Sequence, residues 1–120
     1  GFVYGAMQSN VLKGFVTVDA KALGPDNEYL DLRDLFVSAD ARGQGIGREL
    51  FRAAAQWARS KGACKLYLSA HSTIETQAFY KAMGCVDAKY ISLRHVEKEP
   101  YDRQLEYPLF PDCNADVPAL

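Results

Sequence analysis

Residues 42–51, RGQGIGRELF, are the part of this sequence best equipped to do chemistry. Gly43, Gly45 and Gly47 alternate with larger residues, and Arg42 and Arg48 stand on either side. Glycines let the backbone turn through dihedrals that other residues avoid, and they let a ligand come close. The periodicity that follows is helical, so the turn opens a helix whose first N–H groups have no partner inside it. Those groups lie at the positive end of the helix dipole. A run of free amides there, beside two guanidinium groups, makes an anion site suited to a pyrophosphate. Two common phosphate loops do not fit. A Walker loop ends in Gly-Lys-Ser/Thr where this turn ends in Gly47-Arg48-Glu49, and the dinucleotide fingerprint needs glycine at position 50, which is Leu50. The glycines also suit a plain strand-to-helix turn that binds nothing, and the turn alone leaves that alternative open.

Such a turn needs a strand before it and a helix after it. Residues 29–37, YLDLRDLFV, read as the strongest strand, with the apolar alternation changing phase between Arg33 and Leu35 as it does at a bulge. Ile46, Leu50, Ala54, Trp57 and Ala58 make one face of a helix over residues 46–61, stopped by Gly62. Residues 64–70 form a second confident strand, with Leu66 and Leu68 on one face. Ser72 and Glu75 fit a capping box for a second helix that runs to Met83 and is closed by Gly84. Residues 2–7 and 11–18 suggest a hairpin around a turn at Gln8-Ser9-Asn10. Two more strands are expected at 86–93 and 103–107, with the charged stretch HVEKEPYDR between them as a solvated loop. Residues 108–120 hold Pro108, Pro111 and Pro118 and read as an irregular tail. The order β-β-β-α-β-α-β-β predicts one α/β (α+β) domain over residues 1–120. Its core is a mixed, mostly antiparallel central sheet with helices on its faces. Two central strands are parallel and joined by a right-handed helical crossover.

The turn also reads as Arg-x-x-Gly-x-Gly through Arg42, Gly45 and Gly47, behind the strand ending Leu35-Phe36-Val37. Further on, Phe79-Tyr80-Lys81-Ala82-Met83-Gly84-Cys85 is similar to a Phe-Tyr-x-x-x-Gly-Phe signature. In this order the motifs resemble those of the GNAT superfamily of acetyl-CoA-dependent N-acetyltransferases, across about residues 15–109. The resemblance implies direct transfer of an acetyl group from acetyl-CoA to a primary amine of a small molecule or protein. It implies acetyl-CoA as cosubstrate, no metal, and two central strands that splay apart beyond the bulge. The cofactor's pantetheine arm would pair with the backbone at Phe36 and Val37. Its pyrophosphate would be held by Arg42, Gly43, Gln44, Gly45, Ile46, Gly47 and Arg48. Ser72 and Thr73 stand where the family often carries a cofactor-binding asparagine, and Ala39 where it often has proline.

For catalysis the resemblance implies an acid to protonate the leaving thiolate and a base to deprotonate the amine. Tyr80 is the candidate acid; otherwise it only packs, on the stripe Thr76, Tyr80 and Met83. Asp31 and Asp34 are the candidate bases. Asp31 falls where some members carry a catalytic glutamate, and a strand carboxylate beside an apolar cleft is a candidate for a raised pKa. Otherwise each is a solvated carboxylate, with Arg33 as its mate, and a water chain replaces a single base. His71 ends the second central strand and either faces the cleft or is an ordinary polar strand end. His95 is expected in solvent, on a loop that either borders the acceptor site or is solvated throughout.

The net charge of -1 gives no argument for nucleic acid or a membrane surface as partner. Cys64, Cys85 and Cys113 show no metal-site spacing; Cys64 and Cys85 read as small buried hydrophobes and suggest a reducing, cytoplasmic compartment. The chain starts at Gly1 without an initiator Met, which reads as a trimmed tag or a fragment. The resemblance implies a strand and two helices ahead of residue 2, and the sequence from Gly1 onward offers no counterpart to them. The sheet face left bare and its open edge favour a homodimer. The same gap keeps a second function in play, a non-catalytic acetyl-CoA-binding sensor.

Overall fold

The computed structural model describes residues 1–110; Pro111, Cys113 and Pro118 lie outside the described residues. Strand β1 (Phe2–Gln8) turns at Ser9 and Asn10, at φ 49° and 63°, into β2 (Val11–Leu23). Two successive left-handed residues are what a two-residue hairpin turn requires, because they match the right-handed twist of the flanking strands. Strand β3 (Tyr29–Val37) runs antiparallel to β2. Helix α1 (Ile46–Ser60) then crosses to β4 (Lys65–Ala70), which lies parallel to β3. Helix α2 (Ile74–Met83), the short β5 (Val86–Asp87), helix α3 (Leu93–Lys98) and β6 (Arg103–Pro108) complete the order. The sheet reads β1-β2-β3-β4-β6-β5 and is antiparallel except between β3 and β4. This is the mixed α/β architecture expected from the sequence.

Alternation along the strands gives the sheet two unlike faces. Val16 and Val18 of β2, Leu30 and Leu32 of β3, Leu66 and Leu68 of β4 and Leu105 of β6 form one buried aliphatic layer. Helix α1 closes it with Leu50, Ala54 and Ala58, all fully buried. The alanines keep the helix close to the strands. The other face of the β3, β4 and β6 region carries Tyr29, Asp31, Lys65, Tyr67, Gln104 and Glu106, all buried. These polar groups bond one another. Tyr29 donates to Glu106 at 2.6 Å, Lys65 pairs with Glu106 at 3.0 Å, and the Tyr67 hydroxyl donates to Gln104 Oε1. Helix α3 and the segment before it cover this layer, where the Ser92 N–H donates to the Tyr67 hydroxyl at 3.0 Å.

Several expectations are corrected. The strand expected over residues 86–93 stops at Asp87, because the Lys89 N–H turns to the Glu106 carboxylate at 2.9 Å and the Tyr90 ring packs against Tyr29 and Tyr67. The charged loop after it begins as helix α3, which ends at Glu99 before Pro100. The cap of α2 is Thr73, not Ser72: its hydroxyl accepts from the Thr76 N–H, so Glu75 falls a residue short of the capping-box position. The tail begins in order. Pro108 ends β6, and Leu109 is buried, with its N–H on the Cys64 carbonyl at 2.8 Å. Cys85 is a buried free thiol as expected, whereas Cys64 is half-buried and disulfide-bonded, where a small buried hydrophobe was expected. No described helix is long and apolar enough to cross a membrane.

Candidate active site

The expected bulge is present. Thr17 faces Asp34 and Val18 faces Leu32, so Arg33 is the extra residue on β3. Beyond it the two parallel strands part. Strand β4 pairs with β3 only from Tyr29 to Asp31, and among the described residues no strand pairs with the edge of β3 through Phe36 and Val37 on the β4 side. Phe36 and Val37 pair on their other side with Phe15 and Gly14. The split is a cleft of about 430 Å³ lined by Phe36, Leu68, His71, Thr76 and Tyr80, among others.

The glycine turn lies near the end of β3, where a Cβ on Gly47 would stand 3.7 Å from Val37. Gly43 and Gly45 adopt φ 79° and 80°, and a Cβ on either would meet no described protein atom within 4 Å. None of the amides of residues 43–48 donates to a described protein atom; the first helical bond is Glu49 N–H to the Gly45 carbonyl at 3.1 Å. Arg42 and Arg48 are exposed and make no ion pair among the described residues. Gln44 accepts from the Gln8 amide at 2.6 Å, tying the turn to the β1–β2 hairpin. Gly47 answers to packing instead: its Cβ would lie 3.1 Å from the Phe79 ring of α2. Free amides, exposed guanidinium groups and space where side chains would stand fit a pyrophosphate. The unpaired edge of β3 fits an extended amide-bearing arm.

Tyr80 is buried on α2 beside Phe51 and Phe79. Its hydroxyl has no protein partner among the described residues, and burial pushes its pKa up to about 12. It therefore stays a phenol, with a proton to give, throughout the neutral range. His71 is exposed at the cleft, with Nδ1 3.4 Å from the Thr73 N–H. Ser72 and Thr73 sit outside the cleft lining; Ser72 is exposed and the Thr73 hydroxyl is taken up by the cap.

A second cleft of about 480 Å³ adjoins the first and shares Leu32, Arg33, Asp34 and Ser69 with it. Asp31 lines it, 5% exposed, with its Oδ2 2.7 Å from His95 Nε2. Burial raises the Asp31 pKa, and the His95 contact opposes that rise without cancelling it. Asp34 is exposed and accepts from the Thr17 hydroxyl at 2.6 Å. Arg33 pairs with neither of its neighbours and reaches Asp19 at 4.0 Å. Among the described residues, no group of three or more His, Cys, Asp or Glu could hold a metal.

His95 is the site residue that sequence reasoning misplaced. It is half-buried and hydrogen-bonded to Asp31, where a solvated position was expected. A usable signal was Ser92 ahead of LRHVEK, a capping-type residue before good helix formers, which places His95 one turn in.

Comparison with known proteins agrees with this geometry. The model of the "Acetyltransferase (GNAT) family" matches residues 1–85. Streptothricin acetyltransferase of Streptomyces lavendulae is 39% identical over 75 residues, 61% of this chain and 38% of that protein's length. A GNAT-family acetyltransferase structure from Staphylococcus aureus Mu50 superposes at a TM-score of 0.73, with 20% identity over 90% of this chain and 67% of that one. The Thermoplasma acidophilum PaiA N-acetyltransferase, solved with coenzyme A, gives 0.70 and 20% identity over 88% of this chain and 59% of that one. With the turn, the splayed parallel strands and the match over residues 1–85 in agreement, this chain belongs to the acetyltransferase (GNAT) family.

Proposed function

We propose that the protein is an N-acetyltransferase that moves the acetyl group of acetyl-CoA directly to a primary amine of a small molecule or protein. The observation that carries this reading is the shared wall of the two clefts. Leu32, Arg33, Asp34 and Ser69 line both, so a protonated phenol and a buried carboxylate open onto adjoining spaces at the bulge. The amides of residues 43–48, with Arg42 and Arg48, would hold the pyrophosphate, and the backbone at Phe36 and Val37 the pantetheine arm. Ser72 and Thr73, at the N-terminus of α2, would add contacts from outside the cleft lining. Bound acetyl-CoA supplies a thioester whose sulfur departs as a thiolate. Tyr80 gives its phenolic proton to that sulfur. Asp31 takes a proton from the acceptor nitrogen, which frees the lone pair that attacks. Asp34 is the weaker base, since water reaches it and Thr17 already occupies one of its oxygens.

The test is coenzyme A release with a panel of amines: streptothricin, acted on by the relative of that name, then polyamines, aminoglycosides, amino acids and peptides. Release with one class names the acceptor. Coenzyme A binding without release across the panel makes the protein a sensor, and no retention on immobilised coenzyme A removes both readings.

The homodimer rests on β1. It is an edge strand without a charged residue, and Val3 and Met7 are 75% and 59% exposed. Light scattering that returns the monomer mass refutes it.

A further inference from the structure

Asp31 belongs to a chain of three groups that the proposed reaction does not by itself require. His95 Nε2 lies 2.7 Å from Asp31 Oδ2, and its Nδ1 lies 2.6 Å from the Ser92 hydroxyl. Ser92 is 4% exposed and its N–H is fixed by the Tyr67 hydroxyl. Tyr67 in turn donates to Gln104, whose amide donates to Ser69 at 3.0 Å in the wall between the clefts. A carboxylate only accepts, so a neutral His95 carries its proton on Nε2, and the Ser92 hydroxyl donates to Nδ1. Serine hydrolases present the opposite order, with serine on Nε2 and the carboxylate on Nδ1. A buried serine on the far nitrogen is no nucleophile; it locks the ring. Meanwhile no described group donates to Asp31 Oδ1, and Asp31 lines the cleft.

Building on the acetyltransferase reading, we propose that His95, oriented by Ser92, is a positioning residue that holds Asp31 as a carboxylate with Oδ1 free for the acceptor's ammonium proton. The step balances simply. The N–H bond of the ammonium breaks, an O–H bond forms at Asp31 Oδ1, and the nitrogen keeps its electron pair. The imidazole keeps Asp31, buried as it is, from becoming a permanent acid.

The surrounding charges leave this control to His95. Of the groups beside Asp31, Arg33 favours its charge and Asp19 opposes it, both less than His95 does. From α3 and the turn after it, Arg94, Lys98, Glu99 and Asp102 line the same cleft, two cations and two carboxylates. Asp34 is solvated, and burial raises the Tyr67 pKa, so Tyr67 stays neutral.

The experiment combines the pH dependence of kcat/KM with long-range nitrogen–proton NMR of the His95 ring in the full chain. In its neutral form the wild-type ring should carry the proton on Nε2, and Asp31→Asn should shift the ring's nitrogen signals. His95→Gln should move the acidic limb of kcat/KM upward by about one pH unit or more, because the carboxylate loses its partner. Ser92→Ala should move it the same way by less, with coenzyme A affinity unchanged in both. Should His95→Gln fail to fold, Ser92→Ala and the wild-type ring decide. A limb that stays put in folded variants, or a ring indifferent to Asp31→Asn, overturns the proposal alone. A wild-type protein that acetylates no amine overturns it together with the acetyltransferase reading.

Discussion

Gly45 and Gly62 flank α1 with the same backbone conformation, φ 80° and 79°, and at neither would a Cβ touch a described protein atom. To the folded chain they are equivalent; to a ligand they are not. Gly45 sits among the free amides of the turn, whereas Gly62 follows the helix's far end. Alanine at either should cost stability by about 1–2 kcal/mol, the strain of a left-handed L-residue. Only Gly45→Ala should weaken coenzyme A binding, by about tenfold or more as amide contacts to the pyrophosphate are lost. Calorimetry on the two variants checks this. Equal affinities would make the glycine turn a structural device.

Tyr80→Phe removes a hydroxyl that bonds no described protein atom, so the fold should hardly notice. Turnover should fall by about 10²–10⁴-fold if that hydroxyl is the general acid. Coenzyme A affinity should stay close to wild type. Since the phenol is protonated up to about pH 12, Tyr80 should contribute no basic limb to the wild-type rate below that pH. Unchanged turnover would return Tyr80 to a packing role.

Glu106 governs acid stability. Burial raises its pKa, but the bonds from Tyr29, the Lys89 N–H and Lys65 outweigh burial and hold it below the usual value of 4.5. The stabilising contribution of a carboxyl with a depressed folded pKa is complete above the unfolded value and disappears as pH falls through the folded one. Urea unfolding should therefore show stability declining below about pH 4.5. Glu106→Gln strands the buried Lys65 ammonium and should lose about 3–5 kcal/mol at neutral pH. Its deficit should shrink as the medium is acidified, and a deficit constant from pH 7 to pH 3 would mean that Glu106 carries no linked charge.

Local rules made much of this protein legible in its sequence. The glycine turn, the bulge at Arg33, the amphipathic stripe of α1 and the stop at Gly84 each depend on a few neighbouring residues, whose dihedral and periodic preferences act within one turn or strand. The parallel pairing of β3 with β4 followed as well, because a strand-helix-strand crossover leaves little choice. What tertiary structure decided was which polar groups meet. Asp31 and His95 are 64 residues apart, and His95 belongs to a charged helix of six residues, too short to hold by itself. That helix is held where it is by Tyr67 beneath it, and Lys89 and Tyr90 turn away from the β6 ladder for the sake of Glu106 and the tyrosine cluster. Such contacts come from satisfying buried hydrogen-bonding groups across the sheet, a condition that belongs to the whole fold and leaves no periodic trace in any one segment.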